Sequence, residues 1–223
     1  MQKIIDKIKI INFLDAILLT SFFLSGSSAL IYQVAWQRAL YGVIGVDMDS
    51  ITIIVSVFML GIGLGGMLGG WLADQAPALR LRWYAGAELS IALYGACSLT
   101  LLQWLGEALL ALGGSTGASA LACMVFLVPP TTLMGMTLPL LTMVFNERRS
   151  SIGVSVGQLY FVNTLGAALG AALVPFVLLP RWALDEVLWF AVAGNVVVAA
   201  IAVLAYRHPG TGLQDSAHLG AMP

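Results

Sequence analysis

Apolar residues run in long blocks along this chain, and short polar clusters separate the blocks. A helix needs roughly 20 consecutive apolar residues to cross a bilayer. On that measure the pattern predicts six spans, at about 13–36, 51–72, 83–104, 118–145, 152–179 and 187–206. The turns carry the polar residues: Asp47 and Asp49, then Asp74, Arg80 and Arg82, then Glu107, then Glu147 to Arg149, then Arg181, Asp185 and Glu186. Residues 1–12 read as a short cytoplasmic N-terminus, 13–206 as the transmembrane domain, and 207–223 as a polar tail expected to be disordered. The predicted fold class is all-α: a polytopic transmembrane helical bundle.

The second span ends in MLGIGLGGMLGGWLAD, residues 59–74, and it punctuates the whole pattern. Gly61, Gly65 and Gly69 recur every four residues, as do Gly66 and Gly70. In water such glycines weaken a helix by roughly 1 kcal/mol each relative to alanine. In a membrane, small residues at four-residue spacing let two backbones approach closely. Both glycine rows therefore read as helix-packing faces, toward this chain, a second copy or another protein. The fifth span repeats the device with Gly166 and Gly170. Spans one and four are both expected to be interrupted, by the 25–28 SGSS segment and by Pro129-Pro130. A three-plus-three inverted repeat gives this pairing, and broken helices in corresponding positions point to a transporter's central site.

Composition removes the alternatives. With 60% hydrophobic and 9% charged residues, the chain departs from soluble domains, where about a quarter are charged. No basic patch of the kind nucleic acid requires is present. Of the ten Lys and Arg, only Arg38 and Arg181 fall on one side of the predicted membrane. The positive-inside rule then places both termini in the cytoplasm, in an inner (plasma) membrane. Asp15 interrupts the first apolar run, so that run reads as an uncleaved span and not a signal peptide. Cys97 and Cys123 lie in apolar runs and read as small hydrophobes. His208 and His218 fall in the tail, and no spacing suggests a metal site, a cofactor or a catalytic residue.

Four segments together resemble the membrane half of the fused major-facilitator/spermidine-synthase family. They are SGSSALIYQVAWQRAL (25–40), FMLGIGLGGMLGGWLAD (58–74), GMTLPLL (135–141) and GQLYFVNTLGAALGAALVPFVLLP (157–180). The resemblance spans about residues 23–204. It implies a major-facilitator-like half bundle and, in the family, a synthase-like domain of the nucleotide-binding α/β type beyond it. The sequence ends at Pro223 with no strand–glycine-loop–helix unit, so no enzymatic activity is expected of it. The turn after span two also resembles the major-facilitator signature, with Gly70, Asp74, Arg80 and Arg82 at its glycine, acidic and basic positions. Gln75 and Pro77 depart from it.

Candidate chemistry is sparse. Glu88 is an ionisable group inside a span, where charge is costly and usually functional. It reads as a proton or cation site or a counter-charge for a polyamine, or as a structural pair with Arg80 or Arg82 near the interface or with a hydrogen-bonding partner. Tyr32 and Gln33 of span one are expected to line a cavity with Tyr160 and Asn163 of span five, or to act as interhelical glue, as Asn195 does. Asp74 reads as a gate residue pairing with Arg148 or Arg149, or as a solvated helix end. Two functions compete. One is a transport-type protein for a small cationic or polyamine-like solute, working as a homo-oligomer or with a membrane-protein partner. The other is a membrane anchor for a separate synthase-like protein or a larger complex.

Overall fold

The computed structural model describes residues 2–45, 48–111, 115–149 and 151–207, with side chains from residue 13 onward and excepting 148 and 149. Their regular structure is helical: α1 (Gln2–Ile44), α2 (Met48–Gln75), α3 (Arg80–Ala111), α4 (Thr116–Arg149), α5 (Ile152–Leu173) and α6 (Leu184–Arg207). A one-turn 3₁₀ segment, Pro77–Leu79, joins α2 to α3, and the π-helical turn Val174–Leu178 extends α5 past Pro175. All six helices are long and apolar enough to cross a membrane. The chain is a six-span helical bundle.

Two expectations about the helices do not hold. α1 runs unbroken through Ser25–Ser28, and α4 runs unbroken through Pro129, Pro130 and Pro139. Small residues alone do not break a helix. Pro130 has no N–H for the Phe126 carbonyl four residues earlier, and the Tyr94 hydroxyl of α3 donates to that carbonyl instead, at 2.5 Å. The helices also overrun the predicted loops: α1 reaches Ile44, where Gly45 turns the chain with a φ of 94°, and α3 reaches Ala111. The 208–223 tail, with both histidines, lies outside the described residues.

Packing follows one rule twice. α1 lies against α5 and α6, and α4 lies against α2 and α3, while α3 and α6 face each other across the middle. Exchanging α1 with α4, α2 with α5 and α3 with α6 preserves these pairings. The register obeys the same exchange. Phe23 packs on Gly166, Gly26 on Asn163, and Ser27 on Gly170; Thr132 packs on Gly65, Gly135 on Ile62, and Met136 on Gly69. The steps along each helix are identical in the two crossings. In both, a Cβ on the glycine would run into the partner's backbone. α3 buries Tyr84, Glu88, Ile91, Gly95 and Ser98, and α6 buries Ala191, Asn195, Val198, Ala202 and Ala205 at the same spacing. This is the register that a three-plus-three repeat produces.

Two apolar clusters fill the interior. One holds Leu14, Leu18, Phe22, Tyr84, Leu140 and Phe145, toward the end where α1 enters. The other holds Tyr32, Trp36, Leu40, Phe126, Val187 and Ala191, toward the opposite end. Between them, on α1, α3 and α6, lies a buried polar layer of Ser25, Ser28, Glu88 and Asn195.

Candidate functional site

Glu88 sits at the centre of that layer. It is wholly buried, two turns into α3. It contacts neither Arg80 nor Arg82 through any hydrogen bond or ion pair among the described residues. The Ser25 hydroxyl donates to Oε1 at 2.5 Å and the Asn195 amide donates to Oε2 at 2.7 Å. Both donors are neutral. A charge at mid-membrane costs at least about 3 kcal/mol on insertion scales, and each hydrogen bond to a charged group returns roughly 1.5–3 kcal/mol. Two such bonds make the site tolerable without a cation. The Tyr84 hydroxyl is buried close to Glu88, Ser21 and Ser25, yet outside hydrogen-bond geometry.

The Asn195 amide is half used. Its Nδ2 is held on Glu88, while its Oδ1 is buried without a partner. Such an acceptor costs about 1–3 kcal/mol. Because Glu88 and Asn195 occupy equivalent places in the two halves, their bond lies where the axis relating the halves would pass.

Ser25 and Asn195 also form part of the wall of a cleft of about 490 Å³. α1 contributes Gly26 and Gln33, α2 contributes Met59 and Ile62, α4 contributes Thr137 and Pro139, and α5 contributes Tyr160 and Asn163. Gln33, Tyr160 and Asn163 thus share one cavity, with Tyr160 exposed at its rim. Tyr32 does not join them. It lies one residue further around α1, stacked on Trp36 at 4.8 Å and filling the space left by Gly95 of α3. Glu88 stands one layer behind the wall, touching the cleft only through Ser25 and Asn195.

The two glycine rows separate. Gly61, Gly65 and Gly69 are buried against α4. A Cβ added at Gly66 or Gly70 would meet nothing within 4 Å, so neither marks a close helix crossing among the described residues. They line a groove of about 380 Å³ with Leu138, Pro139, Thr142 and Asp74. Gly66, Leu138 and Pro139 also belong to the cleft, so the groove leads from the cleft toward Asp74.

At that end of the bundle the charged turn is divided. Asp74 is exposed at the groove's end. Its expected partners, the side chains of Arg148 and Arg149, lie outside the described residues. Arg80 is buried; its Nε donates to the Ala73 carbonyl at 2.7 Å and its guanidinium pairs with Glu147. It therefore ties the end of α2 to the end of α4. Arg82 lies over the Tyr206 ring, 5.8 Å from its centre. Glu147 was missed as a partner because nothing in the sequence places it beside Arg80. Ser25 and Asn195 were read as a helix break and as glue. The signal that could have joined them is the equal spacing of the two halves, which puts Asn195 at the place of Glu88.

No family model and no solved structure matches the chain. It is similar to polyamine aminopropyltransferase 2 of Streptomyces coelicolor, with 27% identity over 170 residues, 74% of this chain and 29% of that protein. It is similar also to polyamine aminopropyltransferases 2 and 1 of Ralstonia nicotianae, each 26% identical over 168 residues, 75% of this chain and 31% and 30% of those proteins. The chain spans about 30% of the length of these relatives.

Proposed function

We propose that this bundle is the membrane unit of a transport-type protein that takes a small cationic, polyamine-like solute into the cleft between α1, α2, α4 and α5. The observation that carries this reading is the cleft itself: polar groups from α1, α4, α5 and α6 converge on it, with a carboxylate one layer behind that pairs with no Lys or Arg among the described residues. Pockets of this kind fix a small ligand by a few placed polar groups in an otherwise apolar wall. The names of the similar proteins supply the solute class. Six spans form half of a two-lobed carrier, so the unit works as a dimer or beside a second half, in an inner membrane with both termini cytoplasmic. The test is uptake of a labelled diamine by proteoliposomes. Wild-type protein accumulates it and Glu88→Gln does not; no uptake by wild-type protein sinks the proposal.

A second reading has its own support. The similar proteins are about two and a half times as long as this chain, and the similarity covers less than a third of each. A membrane anchor for a synthase-like partner fits that proportion, with no enzymatic activity in the bundle. Affinity purification from native membranes in mild detergent tests it. Recovery of the chain without a synthase-like protein rejects the anchor.

A further inference from the structure

A buried acceptor on a residue of the cleft's wall has no partner, and it says something about the ligand. Asn195 is 2% exposed, and its amide is oriented by the Nδ2 bond to Glu88. A carboxylate accepts hydrogen bonds only, so a charged Glu88 turns the amide NH₂ toward itself. The edge left over is Oδ1, an acceptor, buried and without a partner. Ser25 is fixed in the same sense: its hydrogen goes to Glu88 and its lone pairs remain. Both residues line the cleft. Glu88 is thus linked to the cleft through two neutral residues of its wall, each of which keeps an acceptor.

We infer that the cleft selects its cation by N–H groups as well as by charge: it takes protonated primary or secondary amines, with the ammonium donating to Asn195 Oδ1 and Ser25 Oγ, and it discriminates against quaternary ammonium ions. This rests on the cation reading above and adds to it the rule by which the cation is chosen. A quaternary nitrogen carries the same charge and has no hydrogen to give, so it leaves Oδ1 unpaired. Three aromatic rings line the cleft, but Phe22 and Phe58 are buried in the packing of the bundle and only Tyr160 is exposed, at the rim, so they do not present the set of open ring faces that a cage offers a quaternary nitrogen. Tyr32, Trp36, Tyr94 and Phe126 are packed on one another away from the cleft. Asn195 is a positioning and specificity residue here, and Glu88 sets its orientation.

The probes are butane-1,4-diammonium and its fully N-methylated bis-quaternary analogue, equal in charge and spacing. Each is titrated by calorimetry against the whole chain in lipid nanodiscs. The diamine is expected to bind roughly tenfold or more tightly than its quaternary analogue. Asn195→Leu, if its melting curve shows it folded, reduces that ratio to about one to threefold, and Glu88→Gln weakens the diamine. Equal binding of both probes by wild-type protein overturns the selectivity rule and leaves the cation site standing. Binding of neither probe overturns the cation site, and the rule with it. Because the decisive comparison uses two ligands on wild-type protein, a misfolded variant does not obscure it.

Discussion

The crossing of α1 on α5 and the crossing of α4 on α2 share one geometry and differ in chemistry. Each is held by glycines spaced alike, each meeting backbone of the partner helix. Yet where α1 places Ser25, Ser27 and Ser28, α4 places Met134, Met136 and Thr137. Where α1 places Tyr32, α4 places Leu141. The central pair differs too, Glu88 on α3 against Asn195 on α6. Backbone approach is repeated in both halves, and the polar layer is concentrated in the first. A repeat that builds a scaffold twice leaves one copy free to carry an asymmetric site.

The sharpest way to break this comparison is through neighbouring glycines. Gly65→Leu, and its counterpart Gly166→Leu, are expected to lose about 3 kcal/mol or more, since the side chain meets a helix backbone that cannot yield. Gly66→Leu points into the groove and is expected to melt like the wild type or slightly above it, given glycine's cost of about 1 kcal/mol in a helix. It should nevertheless weaken diamine binding by filling the passage toward Asp74. Unfolding in detergent micelles separates the pair. Equal destabilisation by Gly65→Leu and Gly66→Leu would remove the distinction between packing row and groove row.

The central pair gives the next effect. Glu88→Leu strands the Ser25 hydroxyl and the Asn195 amide, at a cost of roughly 2–3 kcal/mol. Glu88→Gln keeps a polar group there and is expected to cost about 1 kcal/mol. Replacing both Glu88 and Asn195 by Leu should cost less than the sum of the single changes, because neither amide nor carboxylate is then left alone. A double-mutant cycle on the same unfolding curves reads the coupling, and strict additivity would mean the bond contributes nothing.

Effects at the charged end are smaller. Arg80→Met removes the bond to the Ala73 carbonyl and the pair with Glu147, and is expected to cost about 1–2 kcal/mol. Glu147 is 39% exposed, so solvent screening limits Glu147→Gln to about 0.5 kcal/mol. Unfolding at low and high salt distinguishes them: the loss on Glu147→Gln shrinks with salt, while most of the loss on Arg80→Met persists. Last comes Arg82→Ala, whose exposed contact with Tyr206 is worth about 0.5 kcal/mol or less. A larger loss there would move weight from the buried Arg80 tie to the surface.

Several elements were legible before any contact was known. The six spans, the two glycine-rich helices and the pairing of span one with four and two with five all follow from run length and residue spacing. Glu88, Gln33, Tyr160 and Asn163 stood out because polar groups are rare in apolar helices. The unbroken course of α1 and α4 was not legible. A helix in a tight bundle accommodates Ser, Gly and even Pro-Pro where a neighbouring helix supplies a donor, as Tyr94 does to the Phe126 carbonyl. Tyr32 was misplaced because adjacent residues on a helix point about 100° apart, and the sequence does not say which of Tyr32 and Gln33 faces the cleft.

That last difficulty has a general cause. In water, the contrast between apolar and polar faces tells a helix which side is inside. In a bilayer the lipid side and the protein side are both apolar, and the contrast is lost. The sequence by itself therefore determined the number of candidate crossings, their approximate places in the chain and the chemistry available in each, because those depend on local composition. Tertiary structure alone decided the rotation of each helix about its axis. That rotation buried Gly65 and left Gly66 facing a groove. It also brought Ser25 and Asn195, 63 and 107 residues away in the chain, onto the two oxygens of Glu88.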